Sequence, residues 1–169
     1  MKTLPLKNSL LALLCLVLFS CSQEEDGIYF DKSNQLSEID TIEYSAIESD
    51  ILDLVNAHRQ ELGLAALKPM SIVSVTADEH TNYMIKVGQL NHDNFQERSK
   101  TLMEKAHAKQ VGENVAFGFS TAEGAVNGWL NSESHRAVIE NPNYTHFGIS
   151  TEKCKTSGRN YFTQIFINK

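Results

Sequence analysis

The stretch Val111-Gly112-Glu113-Asn114-Val115-Ala116-Phe117-Gly118 constrains this chain more than any other, because it sets a carboxylate where burial should forbid one. Read as a strand over residues 111–119, its odd positions are Val111, Glu113, Val115, Phe117 and Phe119. Glu113 therefore shares a face with large apolar side chains. The even positions, Gly112, Asn114, Ala116 and Gly118, form a small-residue face that another element can approach closely. A carboxylate among apolar neighbours is costly unless something pairs with it. The expected partner is a histidine, and His92 and His135 lie in segments able to return to it.

The chain opens with Lys2 and Lys7, an apolar run at residues 10–19, and Ser20-Cys21. That run is about ten residues, too short for an ordinary transmembrane helix and the right length for a secretory signal. Leu18-Phe19-Ser20-Cys21 resembles a bacterial lipobox, in which the cysteine becomes the lipidated N-terminus; an ordinary cleaved signal is the alternative. Residues 1–20 are then the signal, Cys21 the lipidation site, and residues 21–44 a lipidated, acidic tether that lifts a domain at 45–169 off the membrane. The Ser-Gln-Glu-Glu-Asp start of the tether also resembles a surface-export signal of Bacteroidetes lipoproteins. The expected location is extracytoplasmic, anchored to the bacterial outer membrane. Of the three cysteines, Cys15 leaves with the signal and Cys21 is lipidated, so Cys154 is the one ordinary thiol and no internal disulfide forms. The net charge of −6 becomes more negative once Lys2 and Lys7 are removed, which argues against nucleic acid as a partner. About 125 residues remain for one domain with a real core.

Ile47, Ile51, Val55, His58 and Leu62 recur at helical spacing, with Gly63 as a stop. Pro69 and Ser71 introduce a second helix with Val73, Ala77, His80, Met84 and Val87 on one face and Gly88 near its end. A third helix is expected over residues 95–107, carried by Phe95, Leu102 and Met103. Ser120-Thr121-Ala122-Glu123 has the form of a capping box, serine at the cap, opening a helix with Ala122, Ala125, Val126 and Trp129 in one stripe. Residues 132–141 end at Pro142, and strands near 147–152 and 161–168 close the chain as a hairpin. Helices first, then strands alternating with a helix, predict a layered α+β domain.

Val55-Asn56-Ala57-His58-Arg59 with Gly63-Leu64, the Asn91-His92 turn, Gly112-Glu113-Asn114-Val115-Ala116, the segment from Trp129 to Arg136, and Tyr161-Phe162-Thr163-Gln164-Ile165-Phe166 together resemble the CAP superfamily. That superfamily comprises cysteine-rich secretory proteins, antigen 5 and pathogenesis-related proteins of group 1, and the similarity is to its bacterial secreted branch. It implies a three-layer α-β-α sandwich with a central antiparallel sheet. It also implies a cleft bearing His92, Glu113 and His135. The second acidic position of the family falls at Ser132 here, with Glu133 one residue later, so either can take it. By resemblance the chain is a membrane-anchored binding or scaffold module whose partner is a small ligand, a lipid or an envelope protein. An envelope hydrolase is the rival.

Two imidazoles and one or two carboxylates make an incomplete zinc site, because a structural site needs four protein ligands and an open one about three plus water. With His92 and His135 as ligands and Glu113 orienting a ring or a water, a divalent cation such as zinc is the cofactor to test. A purely structural His–Glu hydrogen-bond network is the other reading. Glu79-His80 lacks the second histidine of a His-Glu-x-x-His helix. Ser132 and Ser134 flank His135, yet Gly-x-Ser-x-Gly is absent and neighbouring residues on a helical turn do not face each other. His58 and His80 are expected in the core, and His107 and His146 at the surface. Arg136 can pair with Glu113 or Glu133, or simply cap a turn. Asn114 is expected to tie loops together, and Trp129 to anchor the core.

Overall fold

A computed structural model describes residues 43–169. The signal segment, Cys21 and the acidic tether as far as residue 42 lie outside them. Chain order is α1 (Ala46–Glu61), β1 (Lys68–Pro69), α2 (Ser71–Val87), α3 (Phe95–Lys105), β2 (Gln110–Phe117), α4 (Ala122–Leu130), α5 (Glu133–Ile139), β3 (His146–Lys153) and β4 (Asn160–Asn168).

Glu48 fixes the start of α1, accepting from the backbone N–H (2.9 Å) and hydroxyl (2.7 Å) of Ser45. Its other oxygen accepts from the Thr151 N–H at 2.7 Å, tying α1 to β3. Ile51 and Val55, four residues apart, are fully buried. Leu62, read as the last member of that stripe, is 51% exposed instead. The helix has already ended at Glu61, and Arg59 takes the buried position in its last turn.

The sheet order is β1-β3-β4-β2. β2 and β3 each run antiparallel to β4, with Glu113 opposite Ile165 and Ile165 opposite Gly148. The expected antiparallel sheet needs one correction: β1 pairs with β3 in parallel, over two residues. Most of the domain lies between those two strands, which supplies the long crossover that a parallel pair requires.

Strand alternation sorts the core into two layers of contact. On one face Val111, Ile165 and Ile167 pack against Val73 and Ala77 of α2 and Leu102 of α3. Val115 and Tyr161 meet Met84 on the same side. The opposite face carries Ala116, Phe147, Ile149, Phe162 and Phe166 against Ile51, Val55, Val126, Trp129 and Ile139. The result is the α-β-α sandwich of a mixed α+β domain.

Small departures from the sequence reading have local causes. β2 stops at Phe117, and Gly118 at φ +90° turns the chain so that Phe119 packs on the α4 side rather than beside Glu113. Thr121, not Ser120, caps α4, its hydroxyl accepting from the Gly124 N–H at 3.1 Å. α3 ends at Lys105 and buries Leu102, while Met103 is 45% exposed.

Gly148 marks where α2 crosses β3 most closely. A Cβ there would stand 2.4 Å from both the backbone nitrogen of Ser74 and the carbonyl carbon of Val73. Backbone cannot swing away as a side chain can, so Gly148→Ala is expected to cost about 1–3 kcal/mol. Urea unfolding with an unshifted midpoint would show that the helix can lift without penalty.

Candidate functional site

Glu113 projects from β2 toward α2 and α3 and is 7% exposed. Arg98, early in α3, grips its carboxylate with two parallel bonds, Nε to Oε2 and Nη2 to Oε1, both 2.8 Å. The Nδ1 of His92 lies 2.8 Å from the same Oε1. His80 of α2 brings its Nε2 to 3.8 Å from that oxygen. Burial pushes the Glu113 pKa up, but the His92 and Arg98 bonds and the Arg98 charge more than offset it and hold the group below the usual carboxylate range. An ionised carboxylate only accepts, so the proton of the His92–Glu113 bond sits on Nδ1.

The turn carrying His92 is built from short-range bonds. Gly88 at φ +69° ends α2, its N–H on the Ile85 carbonyl and that of Gln89 on the Met84 carbonyl. Asn91 Oδ1 accepts from the Asp93 N–H at 3.0 Å, and the His92 carbonyl accepts from Phe95 N–H at 3.2 Å. The His92 side chain is 50% exposed, so with Nδ1 held inward its Nε2 is the open ring position.

His135 is met on the other face of the sheet from Glu113, through its backbone. It lies on α5, and its carbonyl accepts from Asn114 Nδ2 at 3.2 Å. The same amide group donates to Gln164 Oε1 at 3.1 Å. Asn114 and Glu113 are successive residues and point to opposite faces, and β2 is an edge strand. The His135 pKa is lowered, first by burial and then by the charge His92 carries when protonated.

Glu133 is exposed. With Ser132, Ser134 and Ala137 it lines an open depression beside His135. The two serine hydroxyls lie 3.2 Å apart, and among the described residues no hydrogen bond joins either to His135. Arg136 pairs with neither Glu113 nor Glu133: it donates to the Leu130 carbonyl at 2.9 Å and stands 4.0 Å from Glu140. His58 is not in the core; its Nε2 meets Glu140 at 2.9 Å. His146 is half-buried on β3, bonded to the Thr145 hydroxyl and separated from β2 by β4. Asn114 and Trp129 are buried as expected, the indole N–H donating to the Val115 carbonyl at 3.1 Å.

Two members of the site were missed. Arg98 left one usable signal: a cation six residues after His92, opening the helix that follows it. His80 was correctly read as buried, but its place over Glu113 depends on how α2 lies across the sheet.

Both oxygens of Glu113 are already bonded to protein groups and Arg98 balances its charge, which makes the carboxylate a poor ligand for a cation. Among the described residues no group of three or more His, Cys, Asp or Glu is arranged to hold a metal ion. What remains is two imidazoles, one with its tautomer set by a carboxylate. Two imidazoles fall short of the three or four protein ligands that a zinc site needs.

A model of the cysteine-rich secretory protein family (CAP) matches residues 52–166. YlbC, an uncharacterized membrane protein of Bacillus subtilis (strain 168), is 36% identical over 125 residues, or 72% of this chain and 34% of that relative. The chain thus spans about a third of that protein. An extracellular protein containing an SCP domain from Bacillus anthracis str. Ames has a similar structure, with TM-score 0.64 and 28% identity over 72% of this chain and 40% of that one. An outer surface protein of Borrelia burgdorferi shares the fold, with TM-score 0.66 and 21% identity over 76% of this chain and 96% of the other.

Proposed function

The chain belongs to the cysteine-rich secretory protein (CAP) family, and from that premise we propose that it is a lipid-anchored, extracytoplasmic binding module whose site offers the imidazoles of His92 and His135 to a divalent cation such as zinc. Cys21 carries the lipid, and the acidic tether sets the domain off the membrane. The similar proteins described as a membrane protein, an extracellular protein and an outer surface protein support that location.

One observation carries the binding role. Glu113 holds the His92 ring by Nδ1 while half of that side chain is exposed, which leaves Nε2 as the ring position that Glu113 does not engage. The lowered pKa of His135 keeps the second ring neutral near pH 7 and able to donate a lone pair. Arg98 cancels the charge of Glu113, which keeps affinity for a cation modest. Glu113 itself, bonded through both oxygens, is an orienting group rather than a base for hydrolysis.

Calorimetric titration of the purified protein with zinc is expected to give weak binding that disappears in a His92→Ala/His135→Ala double variant. Equal heats from both proteins, or no uptake at millimolar zinc, would overturn the cation-binding role.

A further inference from the structure

We propose that His80 and Tyr83, one turn apart on α2, are positioning residues that hold His92 in register with Glu113. This deepens the two-imidazole reading and rests on it for its functional meaning.

Both side chains bond to the residues on either side of His92. His80 Nε2 donates to the Asn91 carbonyl at 2.9 Å. The Tyr83 hydroxyl donates to Asp93 Oδ2 at 3.0 Å. The two rings stack on each other, centroids 5.9 Å apart and planes within 15°. Arg98 adds a bond from Nη1 to the Asp93 carbonyl while gripping Glu113. The backbone of His92 is thus tied on both flanks to groups that surround its own hydrogen-bond acceptor.

Beyond its own short-range bonds, the turn has little buried apolar surface to fix it against the sheet. Gln89 is exposed, Leu90 is 47% exposed, and Asp93 and Asn94 are exposed. A segment with few buried apolar contacts takes its position from its hydrogen bonds. His80 is also a poor choice for packing alone. It is 2% exposed and its Nδ1 has no hydrogen-bond partner, so leucine would fill the space without that cost. A neutral ring with its proton on Nε2 satisfies the Asn91 carbonyl and leaves Nδ1 as a bare lone pair.

The test reads the protonated nitrogen of the His92 ring by 15N NMR at neutral pH, beside zinc titration. In the wild-type protein the proton sits on Nδ1, facing Glu113. His80→Leu keeps the bulk and removes the donor; the His92 proton is expected to move toward Nε2, and half-saturation by zinc to need about tenfold more metal. Glutamine places an amide nitrogen near the position of Nε2, so His80→Gln should restore both readouts toward wild type. Tyr83→Phe should shift the tautomer in the same direction by less. An unchanged His92 ring in folded His80→Leu, or a glutamine variant as impaired as the leucine one, would overturn the proposal. Should His80→Leu fail to fold, Tyr83→Phe decides, because only a surface hydroxyl is lost; an unmoved tautomer there refutes the positioning role. The NMR readout needs no metal, so absent zinc binding in the wild type would count against the cation site alone.

Discussion

Arg59→Ala is expected to lower stability by about 3–5 kcal/mol, the largest single effect predicted for this domain. Arg59 is fully buried near the end of α1. Its Nε donates to the Ala65 carbonyl at 3.0 Å, Nη1 to Ile139 at 2.6 Å and Asn141 at 3.0 Å, and Nη2 to Tyr144 at 3.3 Å. Those carbonyls belong to the turn after α1, the end of α5 and the approach to β3, so one guanidinium joins three segments. The charge is balanced by carbonyl dipoles, including those at the negative end of α5. Burial lowers its pKa, but an arginine starts so high that it stays charged. Alanine would leave a cavity and several carbonyls without their donor. Lysine supplies the charge without the planar fork, so Arg59→Lys should fall between wild type and alanine. Urea midpoints for the three proteins measure this; equal midpoints would mean that water replaces the guanidinium at no cost.

Glu113→Ala should be the second largest, at about 2–4 kcal/mol at neutral pH, because it leaves Arg98 facing apolar surface without its counter-charge. The Arg98 side chain is only 10% exposed in place, but it can swing toward water, which keeps the effect below that of Arg59. The carboxyl pKa is lower in the folded protein than in the unfolded chain. Its contribution is therefore fully present above the unfolded value and is lost as pH falls through the folded value. The stability gap between wild type and Glu113→Ala should narrow steadily in acid. A gap that stays constant from neutral pH into strong acid would show that the carboxylate is not held ionised by its partners.

Glu113 also shows how much of the site could be read in advance. Alternation along residues 111–117 places it on an apolar face, and a buried carboxylate demands a partner, so a histidine was a sound expectation and His92 fulfils it. The stronger partner, Arg98, was hidden because a charged residue on a short polar helix most simply faces water. Arg59 was hidden for the same reason. It stands in a helix whose apolar stripe was visible, yet nothing local distinguishes a buried guanidinium from an exposed one. For Glu133 and Arg136 the sequence left two outcomes open, and the turn of α5 decides between them: Glu133 is exposed to water, and Arg136 caps the turn at the Leu130 carbonyl and stands near Glu140.

Periodicity, glycine stops and capping residues act over a few residues, so the sequence by itself determined the helices, the three long strands, their layering and the burial of Glu113. The pairing of Arg98 with Glu113, the stitching by Arg59 and the bond from Asn114 to the His135 carbonyl belong to the tertiary structure. Each joins atoms brought together only when separate elements close on one another, and such closure depends on sheet order and helix crossing, which no local pattern encodes.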